Sequence, residues 1–339
     1  MVAGEHEVFG HTPKGDVVHR VTISGGGLTA KVLTWGSIIQ DLRMEGHSAP
    51  LVLGFETLDD YLHHSPYFGA TPGRVANRIS AGRFSLDGAE YQLELNENGL
   101  GHLHGGSDGI AKRNWSIVDL ATDRVVLAVT DADGRGGYPG NCTITATYHL
   151  KDDGNLSVVY EATTDKATIC NVCQHSYFNL DGSDTILDHQ IMIAADHYLQ
   201  VDDMLMPTGS LIPVAATDFD FGEMRPIRRE IEGQQVPYDH NFCLSTERTE
   251  KRSVALVRSL HSGVTMEVRT TEPGVQFYAG VKLNVRVPGL EGKTYRPYSG
   301  LCLETQVWPD AANHPRFPSA VLRPGETLRQ ETDYVFTRG

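Results

Sequence analysis

Long apolar runs, helical periodicity and nucleotide-binding fingerprints are all missing from this chain of 339 residues. No apolar stretch approaches the roughly 20 residues of a membrane-spanning helix, so a bilayer is not an expected partner. Met1 to Lys14 is polar and has no apolar core of the secretion-signal type, which predicts a cytoplasmic chain with reduced thiols. The N-x-S/T triplets at Asn114, Asn141 and Asn155 then carry no glycan. Positive charge is short as well. Lys and Arg number 29 against 43 Asp and Glu, and the formal charge of −14 repels nucleic acid and anionic lipid and mildly disfavours phosphorylated substrates. No G-x-S-x-G or P-loop sequence occurs. Asp131-Ala132-Asp133-Gly134-Arg135-Gly136 imitates the opening of a calcium loop, but Arg135 and Cys142 stand where oxygen ligands are required.

Cysteine is limited to five residues. Cys170-Asn171-Val172-Cys173 has C-x-x-C spacing in an extended, β-branched context, with no second pair. Residues three apart on a strand face opposite ways, so buried single thiols are expected rather than a redox pair or zinc knuckle. Histidine is plentiful at 15, yet His102 and His104 alternate by two and no H-x-x-x-H helix or carboxylate–His cluster appears; no metal is expected.

What remains is strand after strand. Val17 to Ile23 meets Leu28 to Leu33 across Gly25-Gly26-Gly27, and Arg83 to Leu86 meets Ala89 to Leu93 across Asp87-Gly88, a strong hairpin signal. Asn141 to Leu150 returns through Leu156 to Glu161 after Asp152-Asp153-Gly154-Asn155, and Val254 to Leu260 returns through Val264 to Arg269 around Ser262-Gly263. Helices are expected only at Leu58 to His64 and Pro226 to Glu232. Strands joined by tight turns imply an all-β protein, a large antiparallel β-sandwich. No linker or repeat divides the chain, so residues 1–339 are expected to form one domain.

Polar and ionisable residues fall in Gly-rich or aromatic settings at a handful of places. Glu304 lies in Leu301-Cys302-Leu303-Glu304, where strand alternation puts the carboxylate opposite two leucines. A desolvated carboxylate there has its pKa raised toward neutrality; a strand-end Glu with its head in water is the alternative. With the polar residues of Thr71 to Ile79, His102 to Gly106, Gln174 to Leu180, Tyr238 to Phe242 and Gly274 to Gly280, it makes an inventory suited to a neutral polyol. Sugar hydroxyls want fixed donors and acceptors, and a pyranose face wants an aromatic ring. Asp239 and Glu304 could form one acid–base carboxylate pair, or one carboxylate could work with one His. Asp239 could instead orient His240, and Trp308 could stack on a sugar or pack beneath Glu304.

Arg74-Val75-Ala76-Asn77-Arg78-Ile79, Leu103-His104-Gly105-Gly106, His175-Ser176-Tyr177-Phe178-Asn179-Leu180, Asp239-His240-Asn241-Phe242 and Leu303-Glu304-Thr305-Gln306 with Trp308-Pro309-Asp310 resemble the segments of the galactose mutarotase (aldose 1-epimerase) family. They occur in the family's order and span essentially the whole chain. The resemblance implies a β-supersandwich that interconverts the α and β anomers of free aldohexoses without a cofactor. By position, Glu304 matches the family's general base and His175 its general acid. Arg78, His104 and Asp239 match sugar-binding groups, and Asn77, Tyr177 and Gln276 further pocket positions. An epimerase for a phosphorylated hexose would need more cations than Arg74 and Arg78. A silent sugar-binding protein would not need a matched acid and base, and a glycoside hydrolase would use Asp239 with Glu304.

Overall fold

The computed structural model describes residues 5–339. Its largest element is a nine-stranded sheet that runs, in spatial order, Arg225–Pro226, Gln190–Ile193, Arg252–Arg258, Val264–Thr270, Leu328–Arg338, Asn155–Thr164, Cys142–Lys151, Arg124–Asp131 and Ser116–Leu120. A four-stranded sheet is built from Glu5–His11, Val17–Gly25, Leu28–Leu33 and Ile38–Met44 in sequence order. A five-stranded sheet is ordered Pro207–Pro213, His197–Val201, Asp239–Cys243, Gly274–Tyr278 and Cys302–Gln306. The pairings within these sheets are antiparallel.

Alternation along the strands explains the layering. Ile144, Ala146, Tyr148 and Val158 from the large sheet share one apolar cluster with Val21, Ile23, Ala30 and Val32 from the four-stranded sheet. The same cluster contains Val257, Met266, Val268 and Tyr334 together with Phe242, Val275, Phe277 and Leu303 from the five-stranded sheet. The large sheet therefore buries its inner face against two smaller ones. Period-two patterning permits this because every second side chain points inward. Tyr334 carries a polar handle across the layer, donating its hydroxyl to the Leu303 carbonyl at 3.2 Å.

The expected hairpins form. Gly26 and Gly27 take φ of 56° and 78°, and the turn docks on the next hairpin through the Gly154 N–H, which donates to the Gly26 carbonyl at 2.9 Å. The helix Leu58–His64 also forms, capped by Thr57, whose hydroxyl accepts from the Asp60 N–H. The helix expected over Pro226 to Glu232 does not. Arg225–Pro226 pairs with Gln190–Ile193, while Glu230–Ile231 and Gln234–Gln235 make a small hairpin around Glu232 and Gly233, both at positive φ. Ile227 and Ile231 have helical spacing, but only Ile227 is buried, so no apolar face exists to hold a helix. Among the described residues no helix is long and apolar enough to cross a membrane.

Arg74 and Asp131 form a buried ion pair. Arg74 is fully buried, donates to Asp131 at 2.9 Å and to the Pro139 carbonyl at 2.7 Å, and Arg113 joins the same carboxylate. That accounts for Asp131, the residue that mimics a calcium ligand.

A Cβ at Gly26 would lie 1.9 Å from the Lys151 carbonyl oxygen, whereas one at Gly27 meets nothing within 4 Å. Gly27→Ala should cost about 1 kcal/mol for the left-handed backbone alone, and Gly26→Ala at least about 2–3 kcal/mol, because the hairpin must also shift. Equal urea midpoints for the two variants would contradict this docking.

Candidate active site

Three neighbouring strands of the five-stranded sheet set the site. Gln276 lies directly across from Glu304, and Asp239 across from Tyr278, which in turn faces Cys302. Register thus puts Asp239, Gln276 and Glu304 on one face, while Phe277 and Leu303 turn the other way into the core. All five residues of Cys302–Gln306 are buried, and Glu304 is 2% exposed. The water-exposed alternative for Glu304 is excluded.

On the other side of the cavity, an extended segment carrying His175 and Tyr177 is tied down by backbone bonds. The His175 N–H donates to the Ala70 carbonyl at 2.9 Å, and the Gly69 N–H donates to the His175 carbonyl at 3.0 Å. His175 Nε2 lies 3.7 Å from Glu304 Oε1. Its ring is sandwiched between Tyr67, at 5.9 Å and 18°, and Tyr177, at 5.1 Å and 21°. Tyr177 gives its hydroxyl to the Pro66 carbonyl, so it works here as a wall rather than as a hydroxyl donor to the cavity.

Arg78 and His104 come from a third region. Asn77 and His104 both have left-handed backbones, with φ of 60° and 54°, and they lock one another. The His104 N–H donates to the Asn77 carbonyl at 3.0 Å, and the Asn77 N–H donates to His104 Nδ1 at 3.1 Å. The Asn77 side-chain oxygen accepts from the Arg78 N–H. Arg78 pairs with Glu97 at 3.2 Å, and its Nε is buried without a protein partner, a donor left over for a ligand. Gln276 Nε2 donates to Asp239 Oδ1 at 2.7 Å, fixing which way the amide points.

A cavity of about 260 Å³ is lined by all eight residues expected from the sequence: Asn77, Arg78, His104, His175, Tyr177, Asp239, Gln276 and Glu304. That volume lies near the lower end for small-molecule pockets. Tyr67, Glu97, Tyr278 and Lys282 also line it and were not anticipated. Glu97 could have been sought as the acid a buried Arg78 requires. Tyr67 sits in no recognisable pattern. Arg74 does not reach the cavity. Trp308 bonds the Pro273 carbonyl and packs with Leu199 and Phe317, so it neither stacks in the pocket nor lines it. Asp239 does not orient His240; the ring Nδ1 instead accepts from the Asp239 backbone N–H. Cys170 and Cys173 are buried and unpaired by disulfide.

Burial governs the electrostatics. It pushes Glu304 up to about 8, with Asp239 adding and Cys173 and Arg78 opposing. Burial pulls His175 down to about 4. His104 falls well below its ordinary range, chiefly by burial and then through His175 and Arg78. Burial also raises Asp239, against the pull of Arg78 and Gln276. Between about 4 and 8 the Glu304–His175 pair therefore holds one proton.

His104, His175 and Glu304 bring ligand atoms within 4.8 Å of one another, close enough for a metal. The donor chemistry does not fit. Nδ1 of His104 accepts the Asn77 N–H, which leaves the ring proton on Nε2, the atom a metal would need bare. The ring is set up to donate to a ligand oxygen.

Comparison with known proteins agrees with this architecture. The family model described as Aldose 1-epimerase matches residues 19–335. The chain is 42% identical to galactose mutarotase of Mus musculus, covering 99% of both chains. It is 35% identical to aldose 1-epimerase of Escherichia coli K12, covering 96% of both. Among solved structures, an aldose epimerase homologue from C. elegans superposes with a TM-score of 0.89 at 32% identity, covering 94% of this chain and 98% of that one. Galactose 1-epimerase from Lactobacillus acidophilus NCFM gives 0.85 at 28% identity, with 99% of each covered.

Glu304 has a folded-state pKa above its ordinary value of 4.5, so its contribution to stability is complete below about 4.5 and is lost as pH rises through about 8. Glu304→Gln removes that loss. Its stability relative to wild type should be greater at pH 9 than at pH 4.5 by on the order of 1–4 kcal/mol. Parallel denaturant melts at the two pH values measure the difference; one that does not change with pH would contradict the burial argument.

Proposed function

Because the chain belongs to the aldose 1-epimerase family and has that family's isomerase activity, we propose that its substrate is a free aldohexose such as galactose or glucose. Glu304 and His175 move the protons. The observation that carries this reading is the meeting of a buried carboxylate and a buried imidazole, 3.7 Å apart, on the wall of one small cavity.

Mutarotation takes a proton from the anomeric hydroxyl O1 and places one on the ring oxygen O5. The C1–O5 bond breaks to give the open-chain aldehyde, rotation about C1–C2 presents the other carbonyl face, and closure reverses the transfers. One base and one acid must act on adjacent oxygens at the same pH. A pair that shares one proton supplies both. Burial and Asp239 keep the shared proton mainly on Glu304, against the weaker pull of Cys173 and Arg78. Glu304 serves as the base in the ionised form it takes when that proton passes to His175. His175 then carries the proton as the acid, and the roles exchange on the return.

The remaining groups suit recognition of hydroxyls. Arg78 Nε and His104 Nε2 donate, Asp239 accepts with its free oxygen, and Gln276 is pinned by Asp239. Tyr67, Tyr177 and Tyr278 supply aromatic surface. A phosphorylated hexose fits poorly, because the two cations that line the cavity, Arg78 and Lys282, are outnumbered by Glu97, Asp239 and Glu304, and Arg78 is already paired with Glu97.

Glu304→Gln and His175→Asn should each lower turnover of freshly dissolved α-D-galactose by about 10²–10⁴-fold in a polarimeter, while galactose still binds. Near-normal turnover in either variant would remove that residue from the chemistry. The kcat/KM profile should be bell-shaped. Below about 4 both groups are protonated and no base remains; above about 8 both have lost their protons and no acid remains. A profile flat from pH 4 to 9.5 would contradict the shared proton.

A further inference from the structure

Two thiols stand directly behind the two groups given the chemistry. Cys173 Sγ lies 3.6 Å from Glu304 Oε2, on the side away from His175, which faces Oε1. Cys302 Sγ lies 3.5 Å from His175 Nδ1, while Nε2 faces the carboxylate. In order of contact the four side chains run Cys173, Glu304, His175, Cys302.

The arrangement follows from two extended segments laid antiparallel. Phe178 and Leu301 exchange backbone hydrogen bonds of 2.7 and 2.9 Å at one end. At the other, the Asn171 amide bridges to the Val307 backbone, accepting from its N–H at 2.9 Å and donating to its carbonyl at 3.4 Å. Between these ties, the backbone of His175 bonds to Ala70 and Gly69 instead. Side chains span the gap. Residues i and i+2 share a face of an extended chain, so Cys173 and His175 project together from one segment, and Cys302 and Glu304 from the other. Opposite directions then pair thiol with carboxylate and imidazole with thiol.

Both cysteines are at most 1% exposed, and burial raises both thiols well above their ordinary range. They remain protonated and are screened from reagents. A thiol is a weak donor and a soft packing group, which suits it to hold a catalytic atom without competing for the substrate.

Building on the assignment of Glu304 and His175, we infer that Cys173 and Cys302 are positioning residues: the Cys173 S–H donates to Glu304 Oε2, and Cys302 braces His175 at Nδ1, so that Oε1 and Nε2 are the atoms turned to the sugar. Neither thiol touches the substrate. The donor from Cys173 stabilises the ionised carboxylate, and its strength sets where the base titrates.

The test is the pH dependence of kcat/KM for α-D-galactose in Cys173→Ala, Cys173→Ser and Cys302→Ala. Loss of the donor in Cys173→Ala should move the alkaline limb up by about half a pH unit, and the stronger hydroxyl donor of Cys173→Ser should move it down by a similar amount. Cys302→Ala should lower kcat several-fold and leave KM unchanged. If Cys173→Ala does not fold, the near-isosteric Ser variant carries the test alone. Alkaline limbs that superimpose on the wild type, or that shift in the same direction in both Cys173 variants, overturn the proposal. Failure of the underlying assignment is separate: it shows as activity surviving in Glu304→Gln or His175→Asn, whereas dead variants with unmoved limbs remove only the thiols.

Discussion

Burying the carboxylate of Glu304 is the constraint around which the structure is arranged. An ionised carboxylate removed from water is costly, and a strand with every residue buried offers little relief. The chain meets that cost with weak compensation: one thiol hydrogen bond and a guanidinium whose charge is shared with Glu97. The carboxylate is left poised near neutrality instead of being stabilised outright. A stronger partner, such as a direct bidentate arginine, would hold the group ionised and blunt its use as a proton carrier. The surrounding layers exist to keep water from doing the same.

The same logic separates the acids of the site, Asp239 and Glu304, from the structural Asp131. Asp131 meets Arg74 and Arg113 directly, and Arg74 also ties down the Pro139 carbonyl. Asp239 accepts from a neutral amide, and Glu304 from a thiol. Full pairing marks the carboxylate that holds the fold. Partial pairing marks Asp239 and Glu304, which face the cavity.

Much of this was legible in the residues, and the legible part has a common cause. Asp87-Gly88 and Gly26-Gly27 declare hairpins because left-handed turns demand such residues locally. Leu301 and Leu303 alternating with Glu304 declare a strand face because the period of two is local too. Ile227 and Ile231 fit helical spacing around the small hairpin at Glu232-Gly233, and burial, a property of the whole fold, decides against the helix. Arg74 and Arg78 look alike in sequence four residues apart, but one reaches Asp131 and the other the cavity. Tyr67 carried no signal, since its place against His175 depends on a bridge between Ala70 and His175, more than a hundred positions apart. Trp308, beside the Glu304 strand in sequence, packs elsewhere for the same reason.

The imidazole of His175 is clamped face to face by two phenol rings, with its main chain tied on both sides. Such a ring is held in one orientation by its stacking partners. The only torsion required to exchange the hemiacetal's handedness then belongs to the sugar, about its own C1–C2 bond. The protein acts as a stationary jig: it serves either anomer from the same posture, begins each cycle where the last one ended, and needs no resetting motion of its own.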